Sequence, residues 1–399
     1  HQQSFRREYQ RFYSRKAGLD DVTTVYIRWL ALLFIVLAFG TLLDCPRNAR
    51  PEVQREYEES SMSLFWACRK AIVIAPSFYG ESTDLVRAGI LVTRFCVFSQ
   101  RITESWLTVG FAARLAMAQG LHIDGTYWKL PRRETESRRR LWCQLYLLDR
   151  MISSALGRPY CITDSLSLPH EPENVFLDDL DDDAAETVQP ECLADSPTPS
   201  VVATFSYRLA KVIGQIHEQT CGLRAVSYRQ VMALDAQLLE WKRSLPKYLL
   251  MERPDKSRDQ TQRFLQWHRV YLHTSYHFAC VNLHRPFAWR TSVTDQYRYS
   301  REVCFNAACA DMKTRLEHDD ISGTIDHSSW CLGVRQLFNS AIVLGMLAIQ
   351  EQSRGSYDSQ AIVNDLQSFW DKEYSEIWVN EFRLAKVKVI ELCIDRLKN

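Results

Sequence analysis

Apolar positions recur three and four residues apart along nearly the whole chain, and few stretches alternate as a half-buried strand does. That period predicts helices near 20–43, 52–75, 82–99, 103–120 and 135–156. After a break it predicts more near 201–221, 226–244, 259–285, 297–318, 328–352, 359–372 and 375–397. Punctuation agrees with several of these ends. Gly120 suits a C-terminal cap, and Gly157 closes the next helix with Arg158–Pro159 preventing its return. Pro246 is expected to end the helix carrying Trp241, and Pro286 the helix carrying His277. The most apolar run, Trp29 to Leu43, is fifteen residues bounded by Arg28 and Asp44. A bilayer span needs about 20, so the run is read as a buried core helix. The fold class is all-α.

Composition sharpens this. At roughly 150 residues per domain, 399 residues allow two or three domains or one large one. Only 14 glycines and 13 prolines favour long helices, and 46% hydrophobic residues suffice for a large core. The balance of 49 Lys+Arg against 48 Asp+Glu excludes the strongly basic character of a free-standing DNA-binding module. Twelve cysteines are too dilute for a disulfide scaffold. They form no Cys-x-x-Cys, and the closest pair, Cys304 and Cys309, lacks zinc-knuckle spacing. Buried reduced thiols are the expectation. The chain begins at His1 without a signal-peptide pattern, as expected of a fragment of a longer protein.

The charge is unevenly distributed. From Pro159 to Tyr207 there is no Lys or Arg, whereas eleven acidic residues and several prolines fall there. The stretch reads as an acidic connector near 159–200, solvated and repelled from the core, between helical lobes at 20–158 and 201–399. Its Val175, Phe176, Leu177 and Leu180 also permit a short activation segment. Opposite in sign is the run Lys129, Arg132, Arg133, Arg138, Arg139 and Arg140. There Glu134–Arg138 and Glu136–Arg140 stand four apart with the acid first, the favourable order, so a solvated, ion-paired helix start is expected.

Two helices carry polar groups in apolar surroundings. Trp142, Tyr146, Asp149 and Ser153 form one stripe, and an aspartate there needs a partner if buried; Arg158, Arg114 or His122 could supply it. His273, His277, Cys280 and His284 share one arc of another helix. A single zinc ion cannot use them all, because His273 and His284 stand roughly 16 Å apart along the axis while zinc ligands lie about 2 Å from the metal. The stripe reads instead as a polar seam facing other helices or a ligand cavity. No nucleophile elbow, phosphate loop, dinucleotide fingerprint or EF-hand is present.

From Trp106 to Pro169 the residues become recognisable. WLTVGFAARLAMAQGLHID is followed by ETESRRRLWCQLYLLDR and by GRPYCITDSLSLP. In this order they resemble the fungal-specific transcription factor domain, the middle homology region of regulators with a zinc binuclear cluster. The apolar helix at 25–40, the Leu245–Pro246 pair and the His284–Phe287 run HRPF extend the resemblance over roughly 20–290. The family often shows Trp-Trp where this chain has Trp142–Cys143, and its six-cysteine cluster, upstream of the domain, is absent from this chain. The resemblance implies one large helical regulatory domain and no enzyme. It implies control of an upstream DNA-binding domain, which alone would hold zinc and touch DNA. The implied partners are a small-molecule effector or a coregulator protein, with room for a homodimer and without a membrane. The implied location is nuclear. The residues proposed to face a ligand are Arg114, His122, Trp142, Tyr146, Asp149, His277 and His284. A protein-interaction scaffold without a pocket is the alternative. A helical enzyme built on His122, Asp149 and His273/His277 is a third reading.

Overall fold

The computed structural model describes residues 2–14, 24–46, 49–167, 169–180, 197–221, 226–290, 295–317, 333–351, 359–375 and 381–398. Among them are thirteen α-helices and no strand, so the fold is all-α. The helices are α1 (Gln2–Ser14), α2 (Thr24–Leu43), α3 (Pro51–Tyr79), α4 (Thr83–Phe98), α5 (Ile102–Ala118), α6 (Arg132–Leu156) and α7 (Val201–Cys221). They continue with α8 (Tyr228–Arg243), α9 (Phe264–Ala288), α10 (Arg298–Glu317), α11 (Gly333–Glu351), α12 (Ser359–Ser375) and α13 (Glu381–Lys398). Two compact units emerge. The first comprises His1–Val97, Arg101–Asp149 and Tyr160–Thr204; the second comprises Phe98–Gln100, Arg150–Pro159 and Phe205–Asn399.

In the first unit α2 packs along α3. Ser61, Phe65, Cys68, Ile72 and Ala75 of α3 are buried at spacings of three and four, as one face of a helix requires. The Phe65 and Phe95 rings stack at 4.8 Å and Phe39 meets Phe95 edge-on at 5.2 Å. Ser61 Oγ donates to the Ala38 carbonyl at 2.7 Å, satisfying the one hydroxyl this stripe buries. Helices α4 and α5 cross closely because Gly89 has no side chain: a Cβ there would lie 2.6 Å from that of Ala112. None of the described helices is long and apolar enough to cross a membrane.

Helix ends follow the expected chemistry with two exceptions. After α5 the chain turns at Gly120 (φ 70°), with Leu121 N donating to Ala116 O and Gly120 N to Met117 O. After α6 Gly157 (φ 65°) does the same, with Arg158 N donating to Ser153 O. Pro286, by contrast, does not end α9, and Pro76 lies inside α3. In a last turn proline forfeits only one backbone bond. Phe287 and Ala288, 3% and 0% exposed, hold the final turn of α9, since burying a phenylalanine yields about 1.5–3 kcal/mol. Helix α1 was not expected at all. Its sequence is rich in Arg and Gln, and its apolar positions are rings, with Phe5, Tyr9 and Phe12 at helical spacing and Tyr13 beside them.

In the second unit α9 is the core, buried on nearly every side between α8, α10 and α11. Helix α8 opens on a capping box, Ser227 with Gln230. Trp241 stacks on Tyr276 at 5.8 Å and donates its indole N–H to Phe205 O at 2.9 Å. The fully buried Arg150 lies against Gly214, where a Cβ would come within 2.7 Å of its Nε.

Candidate functional site

The first turns of α6 and the segment after it form a clasp. The Asp124 carboxylate caps the turn Gly125–Trp128, accepting from Thr126 N at 3.1 Å and Thr126 Oγ1 at 2.7 Å. Arg139 grips the same carboxylate with both limbs of its fork, Nε to Oδ2 at 2.7 Å and Nη2 to Oδ1 at 2.9 Å. His170 N adds a third direction at 3.0 Å. Burial alone would raise the Asp124 carboxyl, but Arg139, His170 and Thr126 together outweigh it and hold the group well below the usual carboxylate range.

Beside it Glu136 accepts from Arg140 Nε at 2.6 Å and from Glu173 N at 3.1 Å. Arg140 Nη2 donates onward to Val175 O at 2.6 Å, and Arg132 pairs with Glu173 at 2.9 Å. The expected pairs Glu134–Arg138 and Glu136–Arg140 both form. The expectation of a solvated surface is corrected, however: Glu136 is 1% exposed and Arg139 11%, because residues 170–178 lie over them. The described part of the acidic stretch is therefore a loop fastened to α6 by opposite charge, not one held off the core. Its far end returns to the same place. Asn174 Oδ1 accepts from Thr198 N at 2.9 Å and Thr204 Oγ1 donates to Pro172 O at 2.7 Å. Asp181, Asp182, Asp183, Glu186, Glu191 and Asp195 lie outside the described residues.

The aromatic stripe of α6 continues the clasp. Trp142 Nε1 donates to Ser167 Oγ at 2.8 Å, and Tyr146 Oη to Asp164 Oδ1 at 2.8 Å. Asp149 accepts from Cys161 N at 3.0 Å and Ile162 N at 2.9 Å, so the partners it needed include backbone N–H groups of the loop. His122 lies 6.2 Å from the Trp142 ring. Arg114 is exposed on α5 and joins none of these groups.

His277 and His284 belong to the second unit. His284 is fully buried, with Nε2 3.1 Å from Asp235 Oδ1 and Nδ1 2.9 Å from Ser300 Oγ. A carboxylate only accepts, so Nε2 carries the shared proton. Tyr299 Oη donates to the other Asp235 oxygen at 2.6 Å. Burial would raise the Asp235 carboxyl, yet His284 and Tyr299 lower it overall. The histidine of the HRPF run thus ties α9 to α8 and α10. His273 Nε2 donates to Leu249 O at 3.0 Å. Among the described residues no group of three His, Cys, Asp or Glu lies together to hold a metal ion.

His277 and His268 each bury an Nδ1 without a hydrogen-bond partner among the described residues. Burial, then nearby positive groups, lowers His277 to about 3 and His268 to about 4. Both are neutral in the fold, whereas an unfolded histidine takes a proton below about pH 6.5. Their stabilisation is present above that pH and is lost as pH falls toward the folded values, at roughly 1.4 kcal/mol per pH unit for each ring. Urea unfolding between pH 7 and 5 should show this slope, and His277→Gln should reduce it by one ring's share. An unaltered slope in the variant contradicts the assignment. Asp124 and Asp235, both depressed, add losses only lower, as pH falls through the carboxylate range.

The sequence reading placed Trp142, Tyr146 and Asp149 on one stripe but not Asp124, Arg139 and Glu173, which stand far apart along the chain. The available signal was the Arg run followed by a stretch of opposite charge.

Comparison with known proteins fits these motifs. The sequence profile described as the fungal specific transcription factor domain matches residues 1–249. The chain is 28% identical over 325 residues to a transcriptional regulatory protein of Schizosaccharomyces pombe, covering 80% of this chain and 39% of that protein. It is 29% identical over 315 residues to a Zn(2)-C6 fungal-type transcription factor of Monascus ruber, covering 77% and 37%. It is 26% identical over 297 residues to the equisetin cluster transcription factor of Fusarium heterosporum, covering 72% and 41%. The chain thus spans about two fifths of the length of these curated relatives. No solved structure matches it.

Proposed function

Because the chain belongs to the family of fungal specific transcription factor domains, we propose that it is the regulatory part of a longer nuclear transcription factor. It controls a zinc-cluster DNA-binding domain carried elsewhere in that protein, and its own role is regulatory rather than catalytic. The observation that carries this reading is the clasp. Asp124, Arg139, Arg140, Trp142, Tyr146 and Asp149 of the family's motif are engaged in internal bonds that hold an acidic loop on α6, and a fastened loop is an element that can have two states. A regulator needs two states that an effector binds unequally.

The test fuses a zinc-cluster DNA-binding domain to this chain and compares reporter transcription with and without the chain. The reading expects output to change at least tenfold and the fusion to concentrate in the nucleus; identical output with both proteins overturns it.

The reading that the domain docks a coregulator through a helical surface draws on α3 and α5. Trp66, Val73, Phe78 and Leu107 are exposed there, and Arg69 of α3 pairs with Glu104 of α5 at 3.5 Å. Partner pull-down that is lost in Phe78→Asp, without stabilisation by any small molecule, favours that reading.

A further inference from the structure

The first unit contains a cavity of about 360 Å³ walled by α1, α2, α4 and α6. None of the seven residues proposed from the sequence lines it. Its apolar wall is Phe5, Trp29, Leu32, Val36, Ile90 and Leu141. Phe5 and Phe12 of α1 each meet the Trp29 ring at 5.6 Å, so two rings of α1 pack on a residue of the cavity lining.

The polar groups of the lining are few. Trp29 is 5% exposed, and its indole N–H finds no acceptor among the described residues. A buried donor left unmatched costs about 1–3 kcal/mol, which a bound acceptor would recover. Gln144 also lines the cavity. Its Oε1 accepts from Arg94 Nη2 at 2.6 Å, which orients the amide. Arg87, also of the lining, is paired with Asp84 at 2.6 Å, and Glu8 with Arg11 at 2.8 Å. One unmatched donor thus accompanies charged side chains that are matched as ion pairs. That arrangement favours an acceptor without favouring an anion.

We propose that this cavity binds a neutral, mainly apolar molecule carrying a hydrogen-bond acceptor, such as a ketone, ester or lactone carbonyl, and that this molecule is the effector of the domain. The effector role rests on the regulatory reading above; the binding site does not. Pockets of this size and lining hold small ligands by apolar burial, with a few polar groups setting orientation.

The test titrates the whole chain with Nile red, a neutral carbonyl-bearing fluorophore. Saturable one-to-one binding is expected, with displacement by neutral aromatic lactones and weaker competition from the anionic 8-anilinonaphthalene-1-sulfonate. Val36→Trp, at a half-buried wall position, should weaken binding at least tenfold with the helical circular dichroism unchanged. Trp29→Phe keeps the wall and removes the donor, and should weaken binding about fivefold, the worth of one neutral hydrogen bond. Non-saturable partition overturns the site, as does equal affinity in Val36→Trp. If Val36→Trp loses its helicity, Trp29→Phe decides in the same way. The outcomes separate the two proposals. A chain that changes reporter output but binds no probe is a regulator without this site. A chain that binds the probe saturably but leaves reporter output unchanged has the site without the effector role.

Discussion

Asp124→Ala should destabilise the first unit by about 3–5 kcal/mol, the cost of breaking a buried ion pair from one side. Asp124 is fully enclosed and Arg139 is 11% exposed. The substitution removes both bonds of the Arg139 fork, the acceptor of His170 N and the cap of the turn Gly125–Trp128 at once. Asp124→Asn should be milder, because the shape and one acceptor remain. A double-mutant cycle with Arg139→Ala separates the pair from the rest. Coupling well above 1 kcal/mol is expected, since exposed pairs rarely exceed that. Amide exchange should show residues 169–178 opening earlier in Asp124→Ala than in the parent. Equal protection there would mean that the bonds of Glu136, Arg132 and Arg140 to Glu173 and Val175, with Thr204 to Pro172, suffice to hold the loop.

The second large effect is expected at Asp235. Asp235→Ala removes the acceptor shared by His284 and Tyr299 and leaves the Nε2–H of a fully buried imidazole without it. Each stranded buried donor costs about 1–3 kcal/mol, so a loss of about 3 kcal/mol is expected in chemical denaturation. Asp235→Asn keeps one acceptor oxygen and should cost about half as much. If Asp235→Ala unfolds at the parental urea midpoint, the HRPF histidine does not tie α9 to α8 and α10. Neither Asp124 nor Asp235 lines the α1–α2–α4–α6 cavity, so both variants test the fold independently of the proposed ligand site.

These two residues show how far the sequence could be read. The i, i+4 pairs Glu134–Arg138 and Glu136–Arg140 lie within one helix, and helical geometry alone brings such residues together. Asp124 with Arg139, Arg140 with Val175 and Asp235 with His284 join segments that no local period relates. The aromatic stripe Trp142, Tyr146 and Asp149 was legible as a stripe, but not its partners Ser167, Asp164 and Cys161 in the loop beyond Gly157. Helix α1 escaped notice because its four rings, Phe5, Tyr9, Phe12 and Tyr13, sit among charges. It becomes a wall of the cavity because Trp29 offers Phe5 and Phe12 a surface.

By itself the sequence determined the helical class, the places where Gly120 and Gly157 close helices, the core character of α2 and the family. All of these follow from interactions among residues a few positions apart, or from motifs read in order. Tertiary structure decided that the acidic loop is clasped to α6, that the HRPF histidine is a buried tie, and that a cavity opens beside Trp29. Those outcomes depend on which distant groups meet in a low-dielectric interior, where an unmatched charge or donor is costly and a matched one is held. The Arg run and the acidic stretch after it record that charges of opposite sign are present, but not which of them pair.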